Sequence, residues 1–214
     1  VATAEGSTEV RVQFSAHSKA NMSDGIRAYR AGEEGVFQLS QGQVLQLFNE
    51  PMTSCTEPVG GFNEYTYCGE DPLYDFSGTT LHASQPVQVF GSHPCAFVPY
   101  RYFACDHLEE SLFPTRAWGR SAVVSATRPQ RSEPNLIRVF SASDNNQLTF
   151  TPAVQPPTTL NAGEWLQFET RNSFRVVGSG SLQVAQFLVG QAYNNEIQED
   201  LAFGDPAMSL VPPE

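Results

Sequence analysis

Glycine and proline recur along the whole chain, 16 and 15 of them in 214 residues. They rarely leave the run of about a dozen residues that a helix needs. Each proline removes a backbone donor and each interior glycine weakens a helix, so regular structure has to be short and extended. The apolar pattern agrees. Val10-Arg11-Val12-Gln13-Phe14 alternates with period two, which puts Val10, Val12 and Phe14 on one face of a strand. Val36 to Leu39 and Val44 to Phe48 predict two more strands around Ser40-Gln41-Gly42, and Val87-Gln88-Val89-Phe90 predicts another behind Pro86. Further runs are Ala122-Val123-Val124, Ile137 to Phe140, Gln147 to Phe150, Trp165 to Phe168, Phe174 to Val177 and Leu182 to Val189. This many short strands between turn residues predicts an all-β chain built from sandwich-like units, with few short helical turns. One helical turn is expected, Asp106 to Leu112, capped by Asp106 and stopped by Pro114.

The chain also echoes itself. Leu39-Ser40-Gln41-Gly42-Gln43-Val44-Leu45-Gln46-Leu47 aligns without gaps to Leu160-Asn161-Ala162-Gly163-Glu164-Trp165-Leu166-Gln167-Phe168. Pro86-Val87-Gln88-Val89-Phe90 resembles Ser181-Leu182-Gln183-Val184-Ala185 in the same order. Recurrence in order predicts two related β units: residues 1–130, which carry a disulfide-containing insertion, and residues 131–214. Their junction is expected near Arg128 to Asn135.

With 23 acidic groups against 12 basic ones, the net charge is -11. Nucleic acid needs a basic stripe, and none is present. No apolar run reaches the ~20 residues of a membrane helix, so no membrane insertion by this chain is expected. Val1-Ala2-Thr3-Ala4 lacks the charged start and apolar stretch of a signal peptide, so the chain reads as already processed or as a piece cut from something longer.

Cys55, Cys68, Cys95 and Cys105 all lie in the first half. An even count in a loop-rich chain points to disulfides and an oxidising compartment, and four cysteines allow three pairings. Nearest-neighbour pairing, Cys55–Cys68 and Cys95–Cys105, closes two short loops, and it is the expected one. A competing arrangement uses His93-Pro94-Cys95 and Cys105-Asp106-His107. There His93, Cys95, Cys105 and His107 would make a Cys2His2 metal set, although the spacing is tighter than usual for zinc.

Asp75-Phe76-Ser77-Gly78-Thr79-Thr80, Gly91-Ser92-His93-Pro94-Cys95-Ala96, Cys105-Asp106-His107-Leu108-Glu109-Glu110 and Trp118-Gly119 form the most distinctive stretch. It resembles the amino-terminal IgGFc-binding domain family, which is named after a mucus glycoprotein and includes bacterial exported members. Gly204-Asp205-Pro206-Ala207-Met208 and Val211-Pro212-Pro213 look like the same family. The resemblance implies an extracellular, β-rich module of a larger adhesive or mucus-associated protein.

Catalysis is not expected. His17, His82, His93 and His107 are the only histidines. No Gly-x-Ser-x-Gly elbow, phosphate loop or His-Glu-x-x-His helix occurs, and Gly178-Ser179-Gly180-Ser181 reads as a turn. Loop aromatics suit the gripping of a protein or glycan. Tyr100, Tyr102, Phe103, Asp106 and His107, with Tyr65 and Tyr67, make the expected binding patch at the cell surface or in the extracellular matrix. Trp118 is expected in the core. No cofactor is expected, although oxygen-rich Asp144-Asn145-Asn146 and Asn194 to Asp200 could bind calcium. The alternative is a structural subunit of a surface assembly or filament, made by edge-strand pairing.

Overall fold

The computed structural model describes residues 1–52, 71–100, 102, 105–127, 133–193 and 204–214 in full, and 58–62, 65–68 and 194 as backbone. The chain is all-β. Its strands are β1 (Ser7–Gln13), β2 (Glu34–Ser40), β3 (Pro58–Phe62), β4 (Tyr65–Cys68), β5 (Thr80–Ala83), β6 (Phe90–Phe97) and β7 (Cys105–Ser111). They continue as β8 (Gly119–Val124), β9 (Asn135–Ser141), β10 (Asn146–Thr151), β11 (Thr158–Leu160), β12 (Trp165–Thr170), β13 (Phe174–Leu188) and β14 (Ala207–Val211). Helical structure among the described residues is limited to single 3-10 turns, such as Met22–Asp24 and Gln191–Asn194.

The chain divides into two compact units. Unit 1 is Val1–Pro58 with Cys68–Val89; unit 2 is Val59–Tyr67 with Phe90–Glu214. Residues 90–127 therefore group with the second unit, upstream of the junction expected near Arg128. Hydrophobic burial is the reason: Val98, Leu108, Ala122 and Val124 are buried in clusters built from the later strands.

In unit 1, β1 is central, with β2 and β5 antiparallel on either side. Val10, Val12 and Phe14 are buried as their alternation requires, and the Phe14 ring stacks on Tyr29 at 4.7 Å. Val44 to Phe48 keeps the alternation of a strand. Leu45 and Leu47 pack on the core while Val44, Gln46 and Phe48 are exposed, but the segment joins no sheet.

Unit 2 is organised by β13. Its first half pairs with β10 and β8, and its second half with β9 and β14. The register shifts between Val177 and Leu182, so one strand serves two layers. The expected turn at Gly178-Ser179-Gly180-Ser181 is thus the bend inside this long strand. Glycine is required there, because an added Cβ at Gly178 would lie 2.7 Å from Asn146 Oδ1, and at Gly180 2.6 Å from Ser143 Cβ. β11 extends the first layer and β12 the second. Ile137, Val139, Leu148, Phe150, Val176, Leu182 and Val184 fill the space between them. The other face of the second layer is also buried: Leu136, Ala185, Phe187 and Val189 meet Val98 and Leu108.

Several local contacts recur in the two units. Thr8 pairs with Leu39 and Val10 with Ala83; Asn146 pairs with Leu160 and Leu148 with Gly178. The Glu9 N–H donates to Ser84 Oγ at 2.9 Å, and the Gln147 N–H donates to Ser179 Oγ at 2.9 Å. Gly42 and Gly163 turn the chain at φ +80° and +82°. At both turns a side chain three residues on accepts a backbone N–H at 2.7 Å, Gln43 from Ser40 and Glu164 from Asn161.

Candidate functional site

Of the expected patch, Asp106 and His107 lie on the hairpin β6–β7, with Tyr100 and Tyr102 in the connection between its strands. Cys95 and Cys105 are joined by a disulfide with Cα atoms 5.0 Å apart. Neither sulfur is then a free thiolate, so His93, Cys95, Cys105 and His107 do not form a Cys2His2 donor set in this structure. Among the described residues no cluster of three metal-binding side chains occurs. The strands pair His93 with Leu108 and Ala96 with Asp106, so Pro94 and Cys95 oppose His107 alone. A proline cannot donate to a ladder, and a bulge is where a strand tolerates one. The imidazole of His93 accepts the Cys95 N–H at Nδ1, 3.1 Å away.

Asp106 to Leu112 is not a helical turn. Cys105–Ser111 is strand β7, in which Leu108 is buried between exposed His107 and Glu109. Helix-favouring acids lose to tertiary packing here, since the disulfide and the register with β6 hold the backbone extended. His107 and Glu109 share the face opposite Leu108, and Asp106 is exposed near the start of the strand. His107 Nε2 lies 3.4 Å from Glu109 Oε2 with both side chains more than half exposed. Such a pair contributes little to stability. An imidazole beside a carboxylate offers a polar, hydrogen-bonding surface.

The hairpin tip is pinned. Val98 is buried, and its carbonyl accepts the Gly190 N–H at 2.7 Å. The Tyr102 ring lies 4.8 Å from that of Tyr193, whose hydroxyl donates to Glu169 Oε2 at 2.6 Å. Burial first, and then the Glu169 carboxylate, push the Tyr193 phenol up to about 12. Tyr102 is therefore partly used in packing, and Tyr100 is half-buried. Phe103, Cys55 and the side chains of Tyr65, Tyr67 and Cys68 lie outside the described residues, and so does the pairing Cys55–Cys68.

The base of the hairpin carries a feature the alternation did not single out. Phe90, Leu112 and Phe113 are 48, 42 and 41% exposed. Leu112 lies over Gly91, where an added Cβ would be 3.4 Å from its Cδ2. Trp118, expected in the core, is half-buried beside them and donates its indole N–H to the Phe113 carbonyl at 3.0 Å. The sequence signal was Leu112-Phe113-Pro114, apolar residues at a strand end before a proline. Asp144, considered for calcium, instead accepts the Ala162 N–H at 3.1 Å, and Asn145 turns at φ 53°. Of Asn194 to Asp200, only the backbone of Asn194 is described.

Comparison with known proteins agrees with the resemblance in the sequence. Residues 1–214 match the family described as IgGFc binding protein. The human IgGFc-binding protein is 34% identical over 140 residues, 64% of this chain and 2% of that protein's length. No solved structure matches. The chain belongs to the IgGFc-binding protein family.

Proposed function

We propose that this member of the IgGFc-binding protein family is a non-catalytic module that binds a protein partner outside the cell. The contact surface in this reading is the hairpin β6–β7. Phe90, Leu112 and Phe113 supply an apolar centre, and Asp106, His107 and Glu109 a charged rim. The observation that carries the reading is the exposed apolar group at the root of a hairpin that is both disulfide-closed and pinned at its tip. Rigid, preorganised anchors lose little entropy on binding, and aromatic groups surrounded by polar ones are how protein interfaces concentrate their energy. A glycan would call for open tyrosine faces, whereas the Tyr102 ring is turned against Tyr193. The acidic balance of the chain favours a partner with a basic patch.

The name of the human relative makes the Fc fragment of IgG the first probe. Immobilised Fc is titrated with the chain and with the double variant Leu112→Ser/Phe113→Ser. A binding curve weakened by about tenfold or more in the variant supports the reading. Binding unchanged by the variant moves the surface elsewhere.

A further inference from the structure

We propose that the outer edge of β2 pairs, antiparallel and centred on Val36, with the β2 edge of a second copy of this chain. The backbone sets up this edge. The Glu9 N–H donates to Ser84 Oγ and the Glu9 carbonyl accepts the Ser84 N–H, both at 2.9 Å, so Glu9 bonds toward β5. Antiparallel bonds alternate along a strand, so Thr8, Val10 and Val12 bond the other way, to Leu39, Phe37 and Gly35 of β2. Glu34, Val36, Gln38 and Ser40 then turn their N–H and carbonyl groups away from the sheet. Ser40 shows the direction, since its N–H donates to Gln43 Oε1 at 2.7 Å and its carbonyl accepts the Gln43 N–H at 3.0 Å. The same groups of Glu34, Val36 and Gln38 have no hydrogen-bond partner among the described residues.

Open edges are normally blunted by shortness, proline, lysine or a bulge. The strand in the matching position of unit 2 is blunted: β11 is Thr158–Leu160, three residues long, and follows Pro156-Pro157. β2 instead keeps seven residues in unbroken register with β1, with no proline or lysine among them. Its outward face carries Val36, 47% exposed, between Glu34 and Gln38. Two-fold pairing centred on Val36 sets Val36 against Val36 of the second copy and Glu34 against its Gln38, which uses every open group in about six backbone hydrogen bonds. Other centres do not. One on Gly35 sets Gln38 against Gly32, and one on Phe37 sets Glu34 against Ser40. The backbone of Gly32 is already bonded to Phe14 and Gln13, and that of Ser40 to Gln43. Charge agrees with the register. The Glu34 carboxylate, held by Arg11 Nη1 at 3.2 Å, faces a neutral carboxamide and never its own copy. The contact is small, so the dimer is weak and depends on concentration. It lies in unit 1 and is independent of the hairpin β6–β7.

The test follows chain 1–214 by sedimentation from micromolar concentration to about 1 mM, with hydrogen exchange measured at both ends of the range. A monomer–dimer equilibrium is expected. In the dimer the amides of Glu34, Val36 and Gln38 should slow by at least about threefold, and that of Phe37, already bonded to β1, should change less. Val36→Lys sets like charges opposite each other at the centre, and Gln38→Glu sets a carboxylate against each Glu34. Both should weaken association by about fivefold or more, whereas Gln38→Lys should tighten it. Melts of the three variants check that each remains folded. A chain that stays monomeric to about 1 mM overturns the proposal. So does a dimer that leaves exchange at the three amides unchanged, or one that the substitutions at Val36 and Gln38 do not affect.

Discussion

Two buried polar residues at matched positions show how much a single side chain decides. Asn146 is 1% exposed, and its amide is fully used. Nδ2 donates to Ser141 Oγ at 3.0 Å and to Ser181 O at 3.1 Å, while Oδ1 accepts the Gly180 N–H at 2.8 Å. These bonds hold the bend of β13, where the backbone cannot satisfy itself. Thr8 occupies the same register in unit 1, is 0% exposed, and its Oγ1 has no hydrogen-bond partner among the described residues. A hydroxyl too short to reach is a desolvated group without compensation. Asn146→Ala should therefore cost about 2–4 kcal/mol, because it leaves several polar groups orphaned at once. Thr8→Val should be neutral or stabilise by up to about 1 kcal/mol. Denaturant melts of both variants check the pair, and a destabilising Thr8→Val means the hydroxyl has a role the geometry does not provide. Neither effect could be read from composition, since Thr and Asn in strands look alike until their neighbours are known.

The hairpin β6–β7 is the element on which the candidate site stands. Cys105→Ser opens a cross-link between residues 10 apart in sequence. Chain entropy then predicts a loss of about 3 kcal/mol, and a melt that coincides with wild type would remove the structural role of the bond. At the tip, Tyr193 adds a dependence on pH. Its folded pKa of about 12 exceeds the ordinary value of 10.0, so the fold stabilises the neutral phenol. That contribution is complete below pH about 10 and is lost as the pH rises toward about 12. Tyr193→Phe should flatten the melting temperature across this alkaline window, and an unchanged slope assigns the loss to other groups. The cysteine pair of this element was legible in sequence, because close spacing is a local signal, whereas neither strand was: the expected run Val87 to Phe90 stops where β6 begins. The helical reading of Asp106 to Leu112 failed because Asp106, Glu109 and Glu110 imitate a helix start, while the register that overrides them is set by β6. Tyr193 and Glu169 could not be found at all, since a 3-10 turn and strand β12, both far along the chain, bring them together near Tyr102.

At the scale of the molecule, what the echo between Leu39–Leu47 and Leu160–Phe168 revealed was a repeated hydrogen-bond pattern, and the turn chemistry is why it survived in sequence. Left-handed glycines at 42 and 163 and an acceptor side chain one residue later are needed wherever this turn is built. The domain boundary was less legible, because it is set by which apolar faces cover one another, not by linker composition. The two units also differ in completeness. Unit 2 has two layers filled by Ile137, Val139, Leu182 and Val184, and a further buried face around Leu136 and Phe187. Unit 1 has a three-stranded sheet and a core against which Leu45, Leu47 and Val87 pack only partly buried. Burial of apolar area is the main favourable term in folding, so protection against opening should follow it. Native-state hydrogen exchange of chain 1–214 should therefore leave the amides of β9 and the second half of β13 among the last to exchange. Those of β1 and β5 should be released at lower denaturant, through partial opening of unit 1. If β1 and β9 exchange together at every denaturant concentration, the chain opens as one cooperative body. The half-buried side chains around Val87 would then carry no local weakness.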